Sequence, residues 1–418
     1  MGPDVTTRRF AYVAVTSLLV GAQLGVALVN VAMALLVVAW ASSWRTQRAP
    51  RALWLPVAVL AGLTVAHTVV GTEAQSPETY AGSLRVLLVL LLVGSLSAPW
   101  SAAARQRVLV VALAVAAVSM GYALVQVLAQ TPGPLRALHP DALQWSSRNY
   151  RGSGDWLTFS INGLRGTGLV HHVLSFAHVS CVLALTGWAH ALFARRRRAL
   201  WGSLALAATF GMVLSGARAA LVGFAFGVAV LALFRWVSSS RLRGAGLVMM
   251  LAAVGGGFGA LVSTPDLRER IGSFSGRVPI WAHARDAAAA SFPRGMGYGT
   301  YPAYAERTYG SVPALAGKVR GWAHNFWLSV WAEAPLALIG WVWLFVALAR
   351  RAIRQAAANA DQGLGAALCA TLSAWLVISL FHDSHFQREY FPLVLCLWGL
   401  CLSPTWRMEV SDDGSVAS

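Results

Sequence analysis

The feature that most constrains this sequence is a series of apolar runs, most of them long enough to cross a membrane, that alternate with clusters of arginine. A helix needs about 20 apolar residues to span the roughly 30 Å hydrocarbon layer of a bilayer. Hydrophobic residues make up 57% of the 418 residues, whereas charged residues make up only 12%. Soluble domains carry about 25% charged residues. The sequence therefore predicts an all-α polytopic membrane protein and excludes a soluble protein of two or three domains.

The arginine clusters predict how the chain is threaded, because basic residues flank spans on the cytoplasmic side. The first apolar stretch, about 10–41, has arginines at both ends and is too long for one span, so we expect a hairpin broken near Gly21 to Gly25. Arg8 and Arg9 followed by apolar residues also resemble an export signal, but no clear cleavage site follows. The further predicted spans cover about 52–70, 82–100, 108–129, 169–192, 199–214, 219–234, 245–262, 325–347, 363–381 and 391–404.

This threading gives about twelve transmembrane helices with both termini cytoplasmic. Residues 1–262 then hold the first nine spans, with an external loop at about 130–168. Residues 263–322 form a large external loop, and residues 323–406 hold the last three spans. Residues 407–418 form a cytoplasmic tail.

The two external loops carry more positive charge than orientation requires. Together they hold twelve basic residues against six acidic ones. All the basic residues of the chain except Lys318 are arginine, and the planar guanidinium binds phosphate in a forked geometry that lysine lacks. The charge indicates an anionic partner, which is either the lipid headgroups or a phosphate-bearing substrate held by defined arginines.

Individual residues at the external ends of the spans suggest chemistry. Arg218 lies in a tight turn, SGAR, between two apolar runs, where an arginine either has a partner or extends to the headgroups. His324, in GWAHNFW, is able to accept a proton from a hydroxyl nucleophile. Asn325 either orients a substrate or caps a helix, and the role of Glu333 stays open at this point.

Four motifs, in this order along the chain from about Arg165 onward, resemble those of the O-antigen ligase and O-antigen polymerase superfamily. They are LRGTGLVHH, LSGARAAL, GRVPIWAHA followed by FPRGMGYGTY, and HNFWLSVWAE. Ala217 stands where a serine is common in the second motif. Pro335 stands where the last motif, the ligase signature, has glycine.

The resemblance implies a glycosyltransferase C-like fold and a site on the periplasmic face of the bacterial inner membrane. The implied activity is metal-independent, inverting transfer of O-antigen glycan from undecaprenyl pyrophosphate to a sugar hydroxyl of lipid A core oligosaccharide, in lipopolysaccharide assembly. His324 would be the catalytic base. The residues expected to bind the pyrophosphate are Arg218, Arg277, Arg165 and Arg151, and those expected to position the substrate are Asn325, His171 and Trp281.

No cofactor or metal is expected. Guanidinium groups supply the positive charge that a metal provides in other transferases, and no carboxylate pair has metal-ligand spacing. No strand is predicted before the glycines of FPRGMGYGTY, which excludes a dinucleotide site. The expected partners are the lipid-linked glycan donor, the lipid A core acceptor and membrane lipids, and no nucleic acid.

Other functions stay open from the sequence alone. Within the superfamily they are an O-antigen polymerase and a protein O-oligosaccharyltransferase. A transporter of lipid-linked glycan would need ionisable residues inside the membrane, and His67, His178 and His190 fall in or near spans. A third alternative is a structural membrane subunit, for which the excess of external arginines would be incidental.

Overall fold

The computed structural model describes residues 5–43, 51–73, 77–129, 166–170, 172–193, 197–263, 277–312, 315, 322–357, 362–383 and 390–402. These residues form fifteen α-helices and a 3₁₀ turn at Tyr309–Ser311, and no β-strand occurs among them. The helices are α1 Val5–Gly21, α2 Val26–Ser43, α3 Arg51–Val70, α4 Pro77–Ser97, α5 Ala102–Leu128, α6 Val173–Phe193, α7 Arg198–Ser215, α8 Arg218–Trp236, α9 Ser240–Ser263, α10 Val278–Ser291, α11 Tyr301–Thr308, α12 Phe326–Glu333, α13 Ala337–Ala357, α14 Gln362–Ser379 and α15 Tyr390–Cys401.

Within the described residues, eight helices are long and apolar enough to cross a membrane, namely α2, α3, α5, α6, α7, α8, α9 and α14. The protein is therefore a helical, multi-pass membrane protein, as the apolar runs predicted. The hairpin is also confirmed, since α1 ends at Gly21 and α2 begins at Val26. A total of twelve spans further needs α1, α4, α13 and α15, and that count and the orientation stay predictions.

Two helices form the centre of the bundle. Of the apolar span of α6, 78% is buried, and of that of α14, 83%. Helix α8 approaches α14 closely, because a Cβ atom at Gly223 or Gly227 would lie 3.0 or 3.2 Å from the backbone oxygen of Ala374 or Ala370. Such small residues let helix backbones approach each other where lipid offers no hydrophobic driving force. Helix α9, by contrast, is only 11% buried and lies at the periphery.

A lobe of short helices, α10, α11 and α12, has a hydrophobic core of its own. This core includes Ile280, Ala284, Tyr301, Tyr309 and Ala332. Phe326, the first residue of α12, instead packs into the aromatic core of the bundle, with its ring centroid 5.2 Å from that of Trp341 and 5.0 Å from that of Trp375. Helix α12 thus belongs to both cores and joins the lobe to the bundle.

The predicted span at about 325–347 is wrong as a single helix. It is broken after Glu333 into α12 and α13. Pro335 has no backbone N–H and cannot continue a helix. The freed backbone N–H of Leu336 donates to Nε2 of His67, 3.2 Å away at the end of α3. The predicted tenth span is therefore reduced to α13, whereas α12 joins the lobe to the bundle.

A test of the helix packing compares two glycines on the neighbouring helices α3 and α13. A Cβ atom at Gly340 would lie 2.8 Å from the Cα atom of Leu60, whereas a Cβ atom at Gly62 meets nothing within 4 Å. We expect Gly340→Ala to destabilise the protein by about 1–3 kcal/mol through overpacking. Gly62→Ala should be neutral or stabilising by about 0.5–1 kcal/mol, because alanine favours helix more than glycine.

The measurement is thermal unfolding of detergent-solubilised protein with a thiol-reactive dye, since the thiols of Cys181, Cys369, Cys396 and Cys401 are all buried in the folded protein. Equal unfolding temperatures for the two variants would contradict the close contact between α3 and α13.

Candidate functional site

The candidate site is built where the beginning of α12 contacts the end of α14. We call this contact, formed by residues 322–329 and 379–383, the α12–α14 junction. Asn325 caps α12, because its Oδ1 accepts a hydrogen bond from the N–H of Leu328 at 3.1 Å. Its Nδ2 donates to the carbonyl of Leu380 at 3.0 Å, and the indole of Trp327 donates to Oγ of Ser379 at 2.9 Å. Of the two predicted roles of Asn325, the structure supports the cap.

A buried carboxylate, Asp383, lies at the centre of the junction. Its Oδ2 accepts a hydrogen bond from the backbone N–H of His324 at 2.6 Å, and Oγ of Ser329 donates to its Oδ1. The backbone N–H of Asn325 also donates to this carboxyl. An acidic group at the beginning of a helix is stabilised by unpaired N–H groups and by the helix dipole. Asp383 thus fixes the beginning of α12 from outside the helix.

The local electrostatics of Asp383 show how dry this position is. Burial raises the pKa of Asp383 to about 6, although the hydrogen bonds from Ser329, His324 and Asn325 and the charge of Arg277 act in the opposite direction. Desolvation therefore outweighs the stabilising contacts. Removal of water strengthens every charge interaction at this position.

The backbone of His324 takes an unusual conformation. Its φ is 51°, in the left-handed region that non-glycine residues seldom adopt. The hydrogen bond from its N–H to Asp383 holds this conformation. Such strain at a residue with acid–base capability is a known property of functional sites. The His324 side chain is half-buried and lies beside His382, with a ring-centroid distance of 6.5 Å.

Two arginines approach the junction from different elements. Arg277 precedes α10, and its Nη1 donates to the carbonyl of Phe381 at 3.0 Å. Burial lowers the pKa of Arg277, the nearby Asp383 raises it, and the positive charge of Arg218 lowers it again. Arg218 begins α8, after a turn in which Gly216 adopts a left-handed φ of 60°. The half-buried guanidinium of Arg277, with the charge of Arg218 nearby, forms a basic position suited to an anion.

Histidines surround the other side of the junction. The His382 ring lies 5.1 Å from that of His178 in α6, and the His178 ring lies 5.0 Å from that of Tyr390 at the start of α15. Burial lowers the pKa of His382 well below its ordinary value, and His178, Arg277, His324 and His172 lower it further. His382 is therefore neutral at physiological pH.

Among the predicted site residues, His324 belongs to this junction, Arg277 contacts it through the carbonyl of Phe381, and Arg218 is near enough to Arg277 to lower its pKa. Their roles in catalysis stay predictions. Trp281 is buried in α10, and its ring packs 5.1 Å from that of Phe258 in α9, so its role in substrate positioning stays a prediction. Arg151, Arg165 and His171 lie outside the described residues.

The sequence analysis missed Asp383, His382 and Ser329. The signal for the first two was the segment HDSHFQREY, which is rich in titratable residues although it lies between two apolar runs. Ser329 gave no signal, since a serine on an apolar helix is common. Among the described residues, no group of three His, Cys, Asp or Glu side chains could hold a metal ion, and metal independence stays a prediction.

Fold and site together define a polytopic helical membrane protein with a basic, histidine-rich site at the ends of its spans. Residues 202–342 match the family model described as O-antigen ligase. This match confirms the resemblance of the motifs to the O-antigen ligase superfamily, whose members are membrane enzymes that transfer glycosyl groups. The matched segment contains Arg218, Arg277 and His324 but ends before Asp383. No curated protein matches the sequence significantly.

Asp383→Asn tests the role of the buried carboxylate. The asparagine amide would place an NH₂ group where the carboxylate now accepts hydrogen bonds from His324 and Ser329. Each hydrogen bond to a charged group contributes about 1.5–3 kcal/mol to stability. We expect hydrogen exchange of the His324 and Asn325 amides to rise at least about tenfold. The matched control is Asp286→Asn, since Asp286 is exposed and forms a salt bridge with the neighbouring, equally exposed Arg285. Unchanged exchange in Asp383→Asn would exclude Asp383 as the anchor of His324.

Proposed function

We propose that this protein transfers O-antigen glycan from undecaprenyl pyrophosphate to a sugar hydroxyl of lipid A core oligosaccharide, at the periplasmic face of the bacterial inner membrane. The observation that carries the proposal is that Arg277 donates to the carbonyl of Phe381 at the junction that also contains His324, while Arg218 is near enough to lower the pKa of Arg277. This arrangement would join an anion site to a group able to accept a proton. The family match supports the reaction class.

In this proposal the arginines bind the leaving group. Arg218 and Arg277 contact the pyrophosphate of the donor, and Arg165 and Arg151 extend the basic surface. As the bond between the anomeric carbon and the phosphate oxygen breaks, its electron pair goes to the pyrophosphate. Fixed positive charge in a poorly hydrated site stabilises that developing charge without a metal.

His324 acts as the general base. The imidazole takes the proton of the acceptor hydroxyl while the hydroxyl oxygen forms the new bond to the anomeric carbon, so direct displacement inverts that carbon. Asp383 acts through the backbone of His324, whose N–H it accepts at 2.6 Å. It is therefore a positioning residue rather than a catalytic one.

The described residues disfavour a transporter. His67, which sequence alone left as a candidate for a translocation path, has both ring nitrogens in use. Its Nδ1 donates to the carbonyl of Arg294 at 2.6 Å, and its Nε2 accepts from the N–H of Leu336 at 3.2 Å. His190 similarly hydrogen-bonds to the carbonyl of Thr186 and stacks on Trp201. These contacts are structural.

The experiment that tests the proposal mixes purified protein with a lipid-linked glycan and, in parallel reactions, lipid A core, free glycan repeat units or an acceptor protein. Modified lipid A core supports the ligase. Extended glycan chains on the lipid carrier would instead identify an O-antigen polymerase, and a glycosylated acceptor protein would identify a protein O-oligosaccharyltransferase. Absence of any product with all the acceptors would contradict the glycosyltransferase.

His324→Asn in this assay tests the base. Asparagine tolerates the left-handed backbone of position 324 better than alanine, so the variant removes the imidazole with little change to the turn. We expect the transfer rate to fall about 10²–10⁴-fold, the range that general base catalysis contributes. A rate equal to that of the wild type would remove His324 from the mechanism.

Arg277→Lys tests the anion site. Lysine keeps the positive charge but lacks the forked guanidinium group. In the wild type, one guanidinium nitrogen contacts the Phe381 carbonyl, and the other nitrogens can bind phosphate. We expect transfer to fall about tenfold or more, and inorganic pyrophosphate to inhibit the variant less than the wild type. The control, Arg285→Lys, changes an exposed arginine of the same lobe and should leave both quantities unchanged. Equal inhibition of Arg277→Lys and the wild type would place the pyrophosphate elsewhere.

A further inference from the structure

We propose that Glu333 is a positioning residue that holds the glycine-rich loop, residues 295–301, against the helix carrying His324, and that it does so as a neutral carboxylic acid. Its effect on catalysis rests on the proposed function, whereas its effect on the loop does not. The proposed mechanism gives Glu333 no part, although it is one of the most deeply buried ionisable groups that the structure describes.

Hydrogen bonds at the end of α12 connect Glu333 to the glycine-rich loop. Glu333 is fully buried, and its Oε1 accepts a hydrogen bond from the backbone N–H of Tyr301 at 3.1 Å. The N–H of Gly299 donates to the same carboxyl. The Glu333 carbonyl accepts from the N–H of Gly297, and the Ala332 carbonyl from the N–H of Met296, both at 3.0 Å. Four backbone amides of one loop therefore donate hydrogen bonds to two consecutive residues of α12.

This docking leaves no space for a side chain at position 295. Gly295 has a φ of 70°, and a Cβ atom there would lie 2.3 Å from the carbonyl oxygen of Glu333 and 2.7 Å from Cδ of Pro335. Gly295 thus permits a backbone-to-backbone contact with the helix break. Glu333 is the residue on which the glycine-rich loop docks.

The surroundings favour the neutral form of Glu333. The carboxyl lies at the end of α12, where the helix dipole disfavours a negative charge. Its Oε2 has no hydrogen-bond partner among the described residues, an arrangement that an ionised carboxylate does not tolerate at full burial. Burial raises the pKa of Glu333 to about 8, and the negative charge of Asp383 raises it further, while the hydrogen bonds from Gly299 and Tyr301 lower it.

The groups that face Glu333 from neighbouring elements supply no compensating charge. From the segment after α14 comes Asp383, an acid. From the lobe come the backbone amides of Gly299 and Tyr301. From α3 comes His67, whose two nitrogens bind the carbonyl of Arg294 and the N–H of Leu336 on either side of the docked loop.

The position of Glu333 connects the loop to the site. Helix α12 has only eight residues and is about 12 Å long. One end bears His324 and Asn325, which the α12–α14 junction fixes, and the other end bears Glu333. A loss of the loop contact therefore frees one end of the element that orients the proposed base.

The direction of the pH effect follows from the pKa. The pKa in the docked state, about 8, lies above the ordinary value of 4.5, so the docked loop binds the proton more tightly than the released loop. The stabilisation by Glu333 is complete below about pH 4.5, decreases as the pH rises and is lost above about pH 8. A glutamine, which cannot ionise, removes this dependence.

Hydrogen exchange of the amides in residues 296–301, measured as protection factors at pH 6 and pH 9, tests the proposal. The proteins are the wild type, Glu333→Gln and Glu333→Ala, with Glu306→Gln and Glu306→Ala as controls, because Glu306 is an exposed acid in the same lobe. We expect wild-type protection to fall at least about tenfold from pH 6 to pH 9, while that of Glu333→Gln stays constant. Glu333→Ala should lose protection at both pH values, and both Glu306 variants should follow the wild type.

Protection in Glu333→Ala equal to that in the wild type would overturn the positioning role. A fall in Glu333→Gln as large as in the wild type would overturn the neutral acid. Size-exclusion chromatography would reveal whether Glu333→Ala folds. If it does not, the comparison of Glu333→Gln with the wild type at the two pH values still tests whether Glu333 acts as a neutral acid.

Glycan transfer by the same variants gives a second readout. At pH 9 the ratio of Glu333→Gln activity to wild-type activity should exceed the ratio at pH 6, with the change in kcat rather than in the KM of the donor. A purely structural role would leave that ratio unchanged. If no variant and no wild-type protein transfers glycan, the proposed function fails, whereas the exchange experiment still tests Glu333 by itself.

Discussion

The geometry of the site depends on a buried carboxylate that contacts the beginning of a short helix. The carboxylate of Asp383 accepts hydrogen bonds from the backbone N–H groups of His324 and Asn325 and from the hydroxyl of Ser329. Without an acceptor there, the first N–H groups of α12 would be unsatisfied in a dry position, and each would cost about 1–3 kcal/mol. The left-handed conformation of His324 and the direction in which α12 leaves the bundle follow from this contact. The carbonyls of Leu380 and Phe381, which follow α14, complete it by accepting from Asn325 and Arg277.

Charge balance in this region favours a bound anion. Arg277 contributes one positive charge beside Asp383, and Arg218 adds a second that raises the local potential. His382 lies near Arg277 and three histidines and stays neutral because burial disfavours its charged form. Two arginines beside one buried carboxylate leave an excess of positive charge, which suits an anion such as the one in the proposed function.

The sequence predicted the features that depend on local composition. Apart from the predicted span at 325–347, apolar runs and arginine clusters predicted the helices of the bundle to within about six residues at their ends, and they predicted the break near Gly21. Motif order indicated Arg218, Arg277 and His324 as candidate site residues. The contacts between distant segments could not be predicted, because Asp383 lies 59 residues from His324 and Glu333 lies 32 residues from Tyr301. Which of its two roles Asn325 takes also depends on the position of Leu380. The break at Pro335 was missed because it lies in a run of mostly apolar residues, although the proline itself was a signal.

The break at Pro335 also explains the departure from the ligase signature. Glycine and proline differ more than any other two residues in backbone freedom, yet both are poor residues for a helix interior. At position 335 the chain ends α12, donates the N–H of Leu336 to His67 and then begins α13. The property common to the two residues is therefore termination of a helix rather than small size. Substitution between them is conservative at this position, in the sense that either residue ends the short helix that follows His324 and separates it from α13.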